Sequence, residues 1–299
     1  MKQRILSLIL LFICTLPFAS AQIFYRIEGN GLKKPSFLFG THHLASPKIL
    51  GELQVLSRID SVKVVVGEVD LAGLNMGDLM GAMGSEIMQY AIVPEDSTLS
   101  KILSPEDYDL VKEAFKKNGP FPGADLKLYD RICPLIISTM LNTDLSEKMT
   151  AGYDPENQLD IVIMRTGKER GKKIVGLETM DYQLNLLFKS LPISVQAEAL
   201  LNSVKEPDNA LRQLDILNEA YTAGDLDKLM ELADEEGISN SSFMNQFLEK
   251  RNADWLEKIP SILKSGPALI AVGALHLAGE DGLVNGLRKM GYTVTPITN

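Results

Sequence analysis

Residues 23–28, IFYRIE, alternate apolar and polar side chains, which is the period of a half-buried strand. Gly29-Asn30-Gly31 follows as a turn. A second apolar arm runs through Phe37, Leu38 and Phe39 into Gly40, so residues 22–40 read as a β-hairpin. Between residues 46 and 61 apolar side chains recur at Ile49, Leu53, Leu56 and Ile59, a helical spacing. Residues 62–70, VKVVVGEVD, are a β-branched run that predicts a buried strand ending near Gly67-Glu68. Helices dominate from there. The clearest covers 104–119, with Ser104 as cap, Pro105 in the first turn, Glu106 and Asp107 behind it, and Gly119 as the stop. A further helix is predicted over 156–172, a short strand over 172–178, and a long helical stretch over about 180–264. The chain closes with a strand (267–276), a helix (280–291) and a strand (292–297).

Short apolar strands separated by helical segments predict an α/β fold, a mixed central sheet covered by many helices. The closing β-α-β segment is expected to be a right-handed parallel unit. No Pro/Gly-rich linker divides the chain, so residues 22–299 read as a single α/β domain with a helical middle region over about 75–265.

Residues 1–21 stand outside that domain. Lys2 and Arg4 precede an apolar run over 5–14, and Ala19-Ser20-Ala21 has the small-x-small form of a cleavage site. This predicts a signal peptide cut before Gln22 and an exported, periplasmic or extracellular protein; the run is short for a membrane span, and a retained N-terminal anchor is the alternative. Loss of Lys2 and Arg4 from the 30 basic side chains leaves 28 against 39 acidic ones, a net charge of −11. Such a balance argues against nucleic acid or an anionic membrane surface as partner. Cleavage also removes Cys14 and leaves Cys133, inside the apolar run RICPLIISTML, which reads as a small buried hydrophobe.

Four of the predicted strands end alike. Residues 37–43 end in Gly40-Thr-His-His43, 64–68 in Gly67-Glu68, 174–178 in Gly176-Leu-Glu178, and 269–276 in Gly273-Ala-Leu-His276. Ligands of α/β sheets bind beyond the carboxyl ends of strands, and glycine there lets the backbone turn and approach a ligand closely. Two imidazoles and two carboxylates suit a divalent ion and an activated water. The alternative is structural: buried histidines satisfied within a core, and glutamates at solvated strand ends. The order His-strand, Glu-strand, Glu-strand, His-strand raises an internal pseudo-symmetry, with no further sequence repeat behind it. Aligning Gly40 to Gly273 sets His43 opposite His276. Alternation along an extended chain then points His42 to the other face. On this reading His42→Leu is mild and His43→Ala severe.

FLFGTHHL, VVVGEVD, QLDIVIMRTGKERGKKIVGLETMDYQL, LEKRNADWLEKIPSIL and ALIAVGALHLAGEDGLVNGLRKMGYTVTPI occur in that order over nearly the whole mature chain. Together they resemble the TraB/GumN (Tiki-like) family, which is marked by two Gly-x-x-His motifs and a Glu after the second strand region. Those fall on Gly40 to His43, on Gly273 to His276, and on Glu68. This chain departs in having Gly67 before the Glu, where the family commonly has an apolar residue, and His42 within the first motif. The resemblance implies the α/β architecture of a wider superfamily of erythromycin-esterase-like hydrolases and haem-binding ChaN-like proteins. Its animal Tiki members are metal-dependent, membrane-associated proteases, with manganese or cobalt implicated. It also draws attention to Asp160, Glu178, Gln183, Arg251 and Asn252. Asp160 otherwise reads as a helix-surface acid, and Arg251 as a guanidinium packed on Trp255 four residues on.

The expected function is therefore an exported metal-dependent hydrolase, peptidase-like, acting on a peptide or protein. His43, His276 and Glu68 would hold a divalent ion (Mn, Zn or Co). Glu178, or Glu68 if it is not a ligand, would be the general base, and Arg251 would stabilise developing negative charge. No His-Glu-x-x-His is present, so the chain is not an ordinary zincin. Two alternatives use the same superfamily. One is a haem-like ligand carrier, with the Met-rich run at 76–88 read as core or an apolar groove. The other is a metal-independent esterase.

Overall fold

The computed structural model describes residues 22–73, 89–121, 123–149, 152, 154, 157–234 and 245–297. The expected signal peptide and the Met-rich run at 76–88 lie outside the described residues.

Six strands form one sheet: β1 (Phe24–Gly29), β2 (Ser36–Thr41), β3 (Val64–Gly67), β4 (Lys173–Gly176), β5 (Ala268–Gly273) and β6 (Tyr292–Pro296). Their order is β4-β3-β5-β2-β1-β6. The pairs β3–β4, β3–β5 and β2–β5 are parallel, whereas β1 is antiparallel to both β2 and β6. The sheet is mixed, as the sequence predicts. Strands β2, β3 and β5 are covered on both faces, and so their sequences are continuous apolar runs rather than alternating ones. Strands β1 and β6, at the antiparallel side, keep the alternation. The β1–β2 hairpin turns through Gly29, Asn30 and Gly31, all with positive φ (77°, 46° and 80°), a conformation that glycine and asparagine adopt at low cost.

Two expectations change in detail. The helix predicted over 46–61 is two short helices, Lys48–Glu52 and Val55–Arg58, because Gln54 adopts a left-handed conformation (φ 53°, ψ 31°) that ends the first. The strands of the closing β-α-β segment run in the same direction but are not neighbours. The β2–β1 hairpin lies between them, and β6 pairs with β1 instead.

The largest apolar cluster joins the strands to helices Leu159–Glu169, Lys250–Ser265 and Leu283–Lys289. Two satellite clusters sit in the helical region, one around Phe115, Ile137 and Leu200, the other around Val93, Cys133 and Phe188. Cys133 is buried there, and burial raises its thiol pKa, in keeping with an unreactive core residue. Among the described residues no helix is long and apolar enough to cross a membrane.

Parallel pairing has one consequence for chemistry. The carboxyl ends of β2, β3, β4 and β5 open on the same edge of the sheet, so the four predicted strand-end motifs share that edge.

Candidate acid–base site at the carboxyl edge of the sheet

Past their last paired residues β3 and β4 continue side by side. The Leu177 N–H donates to the Gly67 carbonyl and the Glu178 N–H to the Glu68 carbonyl, each at 2.9 Å. This step brings the two acids together. The glycines make the approach feasible: a Cβ on Gly176 would lie 2.9 Å from the Asp70 amide nitrogen, and one on Gly67 would collide with the Met164 methyl. On the other side of β3, the Gly273 N–H at the end of β5 donates to Glu68 Oε1 at 2.7 Å. The chain then turns through a short 3-10 helix, Ala274–Leu277, that carries His276. That turn packs on Gly40 of β2, where a Cβ would come within 2.9 Å of Ala274 Cα.

Helix Lys250–Ser265 supplies the centre. A π-helical turn, Asn245–Glu249, leads into it. Arg251 is almost wholly buried, and its five N–H groups have five partners. Nε donates to Glu178 Oε2 (3.1 Å). Nη2 donates to Glu178 Oε1 (2.7 Å) and Glu68 Oε2 (2.5 Å). Nη1 donates to the Phe247 carbonyl (3.2 Å) and His276 Nε2 (2.9 Å). Its guanidinium carbon also lies 4.7 Å from the Trp255 ring centroid and 5.3 Å from that of Phe247. Packing on the indole, a reading of Arg251 made from the sequence, is present, and so is pairing with two carboxylates.

Asn252, the next residue, fixes the imidazole. Its Nδ2 donates to the carbonyls of His276 (3.3 Å) and Asp281 (3.0 Å), which leaves Oδ1 as acceptor for His276 Nδ1–H at 2.7 Å. With the proton on Nδ1, Nε2 carries the lone pair that accepts from Arg251. The imidazole also packs on Trp255, ring centroids 4.4 Å apart. Gln183 completes the network by donating to Glu68 Oε2 at 2.9 Å.

Burial and charge separate the protonation behaviour of these groups. Burial would raise the Glu68 carboxyl, but His276, Arg251 and the Gly273 N–H outweigh it and hold its pKa at about 2. Burial takes His276 down to about 4, with Glu68 opposing and the Arg251 charge assisting. The imidazole is therefore neutral at neutral pH, and Arg251 is the cation that keeps Glu68 ionised. Glu178 moves the other way: burial raises it despite its contacts with Arg251. Arg251 is held more firmly protonated, Glu68 and Glu178 together outweighing its burial. Only Glu68 keeps appreciable open surface, 20% of its side chain against 5% for Glu178, 3% for His276 and 2% for Arg251.

The structure thus gathers Glu68, Glu178, Arg251, His276 and Gly273 into one network, with Gln183 and Asn252. Among the described residues no hydrogen bond or ion pair links His43 to His276. Strand β2 stops at Thr41, His43 lies in the turn beyond, and 69% of its side chain is exposed. His43 Nδ1 meets Gln158 Oε1 at 3.1 Å and Asp160 Oδ2 at 3.7 Å. Among the described residues no hydrogen bond or ion pair joins this pair to the network. The two Gly-x-x-His motifs do lie on adjacent parallel strands, but one residue out of step, with Thr41 opposite Gly273. His42 packs on Tyr221 (ring centroids 5.2 Å), its Nε2 is buried with no hydrogen-bond partner, and burial lowers its pKa to about 4. Nothing in the sequence pattern marked the Phe247 carbonyl or the orienting role of Asn252, since each depends on where helix Lys250–Ser265 docks.

The sequence resemblance implies a divalent ion, and the donor atoms can be tested for it. Among the described residues no group of three or more His, Cys, Asp or Glu side chains is placed to hold one. In the network itself, His276 Nε2 and both Glu178 oxygens accept from Arg251, and Glu68 Oε2 accepts from Arg251 and Gln183. The guanidinium stands where a metal would have to stand, so this arrangement does not fit a bound ion.

A Metalloprotease TIKI homolog from Amphimedon queenslandica is 23% identical, over 92% of this chain and 61% of the relative's own length. The chain therefore spans about three-fifths of that relative. No solved structure matches it. The sequence profile of the TraB/PrgY/gumN family runs over residues 23–296, from the first strand through both Gly-x-x-His motifs to the last, and with it the chain belongs to the TraB/PrgY/gumN family.

Proposed function

We propose that this chain is a hydrolase of a peptide- or ester-type carbonyl, working at the carboxyl edge of the sheet with Glu68 and Glu178 as its reactive carboxyls. One observation carries the reading: two carboxyls held on one guanidinium have proton affinities displaced in opposite directions, Glu68 down to about 2 and Glu178 up. Such a split separates a permanent anion from a proton carrier. Glu68, ionised and reachable from solvent, orients the attacking water. Glu178 takes the proton from that water and returns it to the leaving group. Arg251 has no N–H to spare, so it acts by fixing both carboxylates and by its charge, which offsets the negative charge growing on the carbonyl oxygen. A peptide is the first substrate to try, because the similar Amphimedon queenslandica protein is named a metalloprotease.

Glu68→Gln and Glu178→Gln should each lower turnover of a peptide or ester substrate by about 100-fold or more with the fold intact by circular dichroism. Turnover by the unmodified protein should survive exhaustive chelation. Full activity in both variants would remove the carboxyls from the mechanism, and activity lost on chelation would remove the metal-free chemistry. The same reading takes residues 1–21 as a signal peptide, so the intact mass of protein exported by its host should correspond to a chain starting at Gln22.

A further inference from the structure

We propose that Arg251 is the resident cation of this site, that a divalent ion and the guanidinium exclude one another, and that the residue at position 251 decides whether this architecture is metal-free or metal-loaded. The inference concerns the cluster of the proposed function but does not depend on hydrolysis, and its test reads binding rather than turnover.

The donors around Arg251 are those of a metal site. One imidazole nitrogen and two carboxylates meet a single guanidinium: His276 Nε2 at 2.9 Å, Glu68 Oε2 at 2.5 Å and Glu178 Oε1 at 2.7 Å. His276 Nε2 and Glu68 Oε1 are 3.8 Å apart. The imidazole is oriented as a metal-bound histidine is oriented, with Nδ1–H donating to an amide oxygen, Asn252 Oδ1, and the Nε2 lone pair aimed inward. Gln183 and the Gly273 N–H hold Glu68 in the same outer role. One imidazole and two carboxylates suit Zn or Mn.

What stands between these donors is a cation already. Arg251 satisfies the same lone pairs through directed N–H bonds, and its guanidinium carbon lies over the rings of Phe247 and Trp255. A divalent ion cannot share the space. It needs donor contacts near ~2.1 Å, which the N–H groups block, and its two charges would lie beside a buried guanidinium. Entry therefore requires Arg251 to leave both carboxylates and the indole. A neutral side chain at 251 would leave two carboxyls and an imidazole lone pair facing one another with no cation between them, and a divalent ion would replace the proton that the two carboxyls would otherwise retain.

Trp255 makes the exchange observable. It is the single tryptophan of the chain and packs against both Arg251 and His276. Mn2+ or Zn2+ is titrated into the unmodified protein and into Arg251→Gln, with binding read by calorimetry and, for Mn2+, by paramagnetic quenching of Trp255 emission. Arg251→Gln should bind one ion per chain at least 100-fold more tightly than the unmodified protein and quench on saturation. Arg251→Lys, which keeps a positive charge, should gain less than tenfold. His276→Ala added to Arg251→Gln should lose the gained affinity, which separates this site from adventitious surface binding. Equal affinity in the unmodified protein and Arg251→Gln overturns the proposal, as does a full gain in Arg251→Lys. Should Arg251→Gln fail to fold, the unmodified protein decides alone. Saturable Mn2+ quenching of Trp255 that is lost in His276→Ala overturns the proposal, and the absence of such quenching supports it.

Discussion

Thr41 is the last residue of β2, and the two histidines after it part there. Alternation assigns His42 and His43 to opposite faces only while the backbone stays extended. The turn at 42–45 ends that condition, so His43 faces solvent and Asp160 while His42 folds back on Tyr221, whose hydroxyl donates to the Gly40 carbonyl at 2.8 Å. Their effects on stability should differ accordingly. His43→Ala should change unfolding free energy by no more than about 0.5 kcal/mol, the usual range for an exposed site. His42→Ala should cost about 1–3 kcal/mol through the cavity it leaves against Tyr221. His42→Leu should cost less than His42→Ala, because it refills the space and removes the unpartnered Nε2, while both changes give up the imidazole's hydrogen bond with Asn218. Urea midpoints at neutral pH decide the matter, and equal losses at 42 and 43 would contradict the burial contrast. Other residues of the site were easier to read. Glu68, Glu178 and His276 each follow a glycine at a strand end, and the fold delivers all three to one edge. That Arg251 lies among them follows from no local pattern, because the helix carrying it is 73 residues beyond Glu178.

At the scale of elements, the strands and the hairpin were legible because their signals are local: alternation in β1, apolar runs in the fully covered strands, positive-φ residues at the turn. Partner choice was not legible. β2 and β5 are adjacent across more than 220 residues of chain, and neither sequence names the other. The strand-end glycines show a similar limit. Their presence signals close approach, but the approaching group can be protein or ligand. At Gly40 it is the 3-10 turn bearing His276, at Gly67 the side chain of Met164, and at Gly176 the backbone of Asp70. These glycines thus act first as packing sites that let neighbouring elements close on one another. The side chains of the proposed site are aimed as a consequence. Glu68 reaches the Gly273 N–H because that position, too, lacks a Cβ that would crowd its carboxylate.

Over the whole molecule these buried groups set how the fold responds to acid. His42 and His276 each titrate at about 4 in the folded chain, against an ordinary 6.5. Between those values the unfolded chain binds more protons than the folded one, so stability rises with pH across the window. Their contribution is complete above pH 6.5 and is lost as pH falls towards 4. At about 1.4 kcal/mol per pKa unit, each histidine contributes on the order of 3 kcal/mol. Glu68 adds a second loss below that, because its pKa of about 2 lies under the ordinary 4.5, and its contribution disappears as pH falls from 4.5 towards 2. Glu178 acts in the opposite sense, since a raised carboxyl binds a proton in the folded state first, and so it partly offsets the loss just above pH 4.5. The urea midpoint should therefore be level from pH 8 to about 6.5 and fall steadily to pH 4. His42→Leu should remove roughly half of that fall, because it deletes one of the two depressed imidazoles and touches nothing in the Arg251 network. A midpoint that stays level down to pH 4 would show that folding does not depress the pKa of either imidazole, and a His42→Leu profile that follows the unmodified protein throughout would show the same of His42 alone.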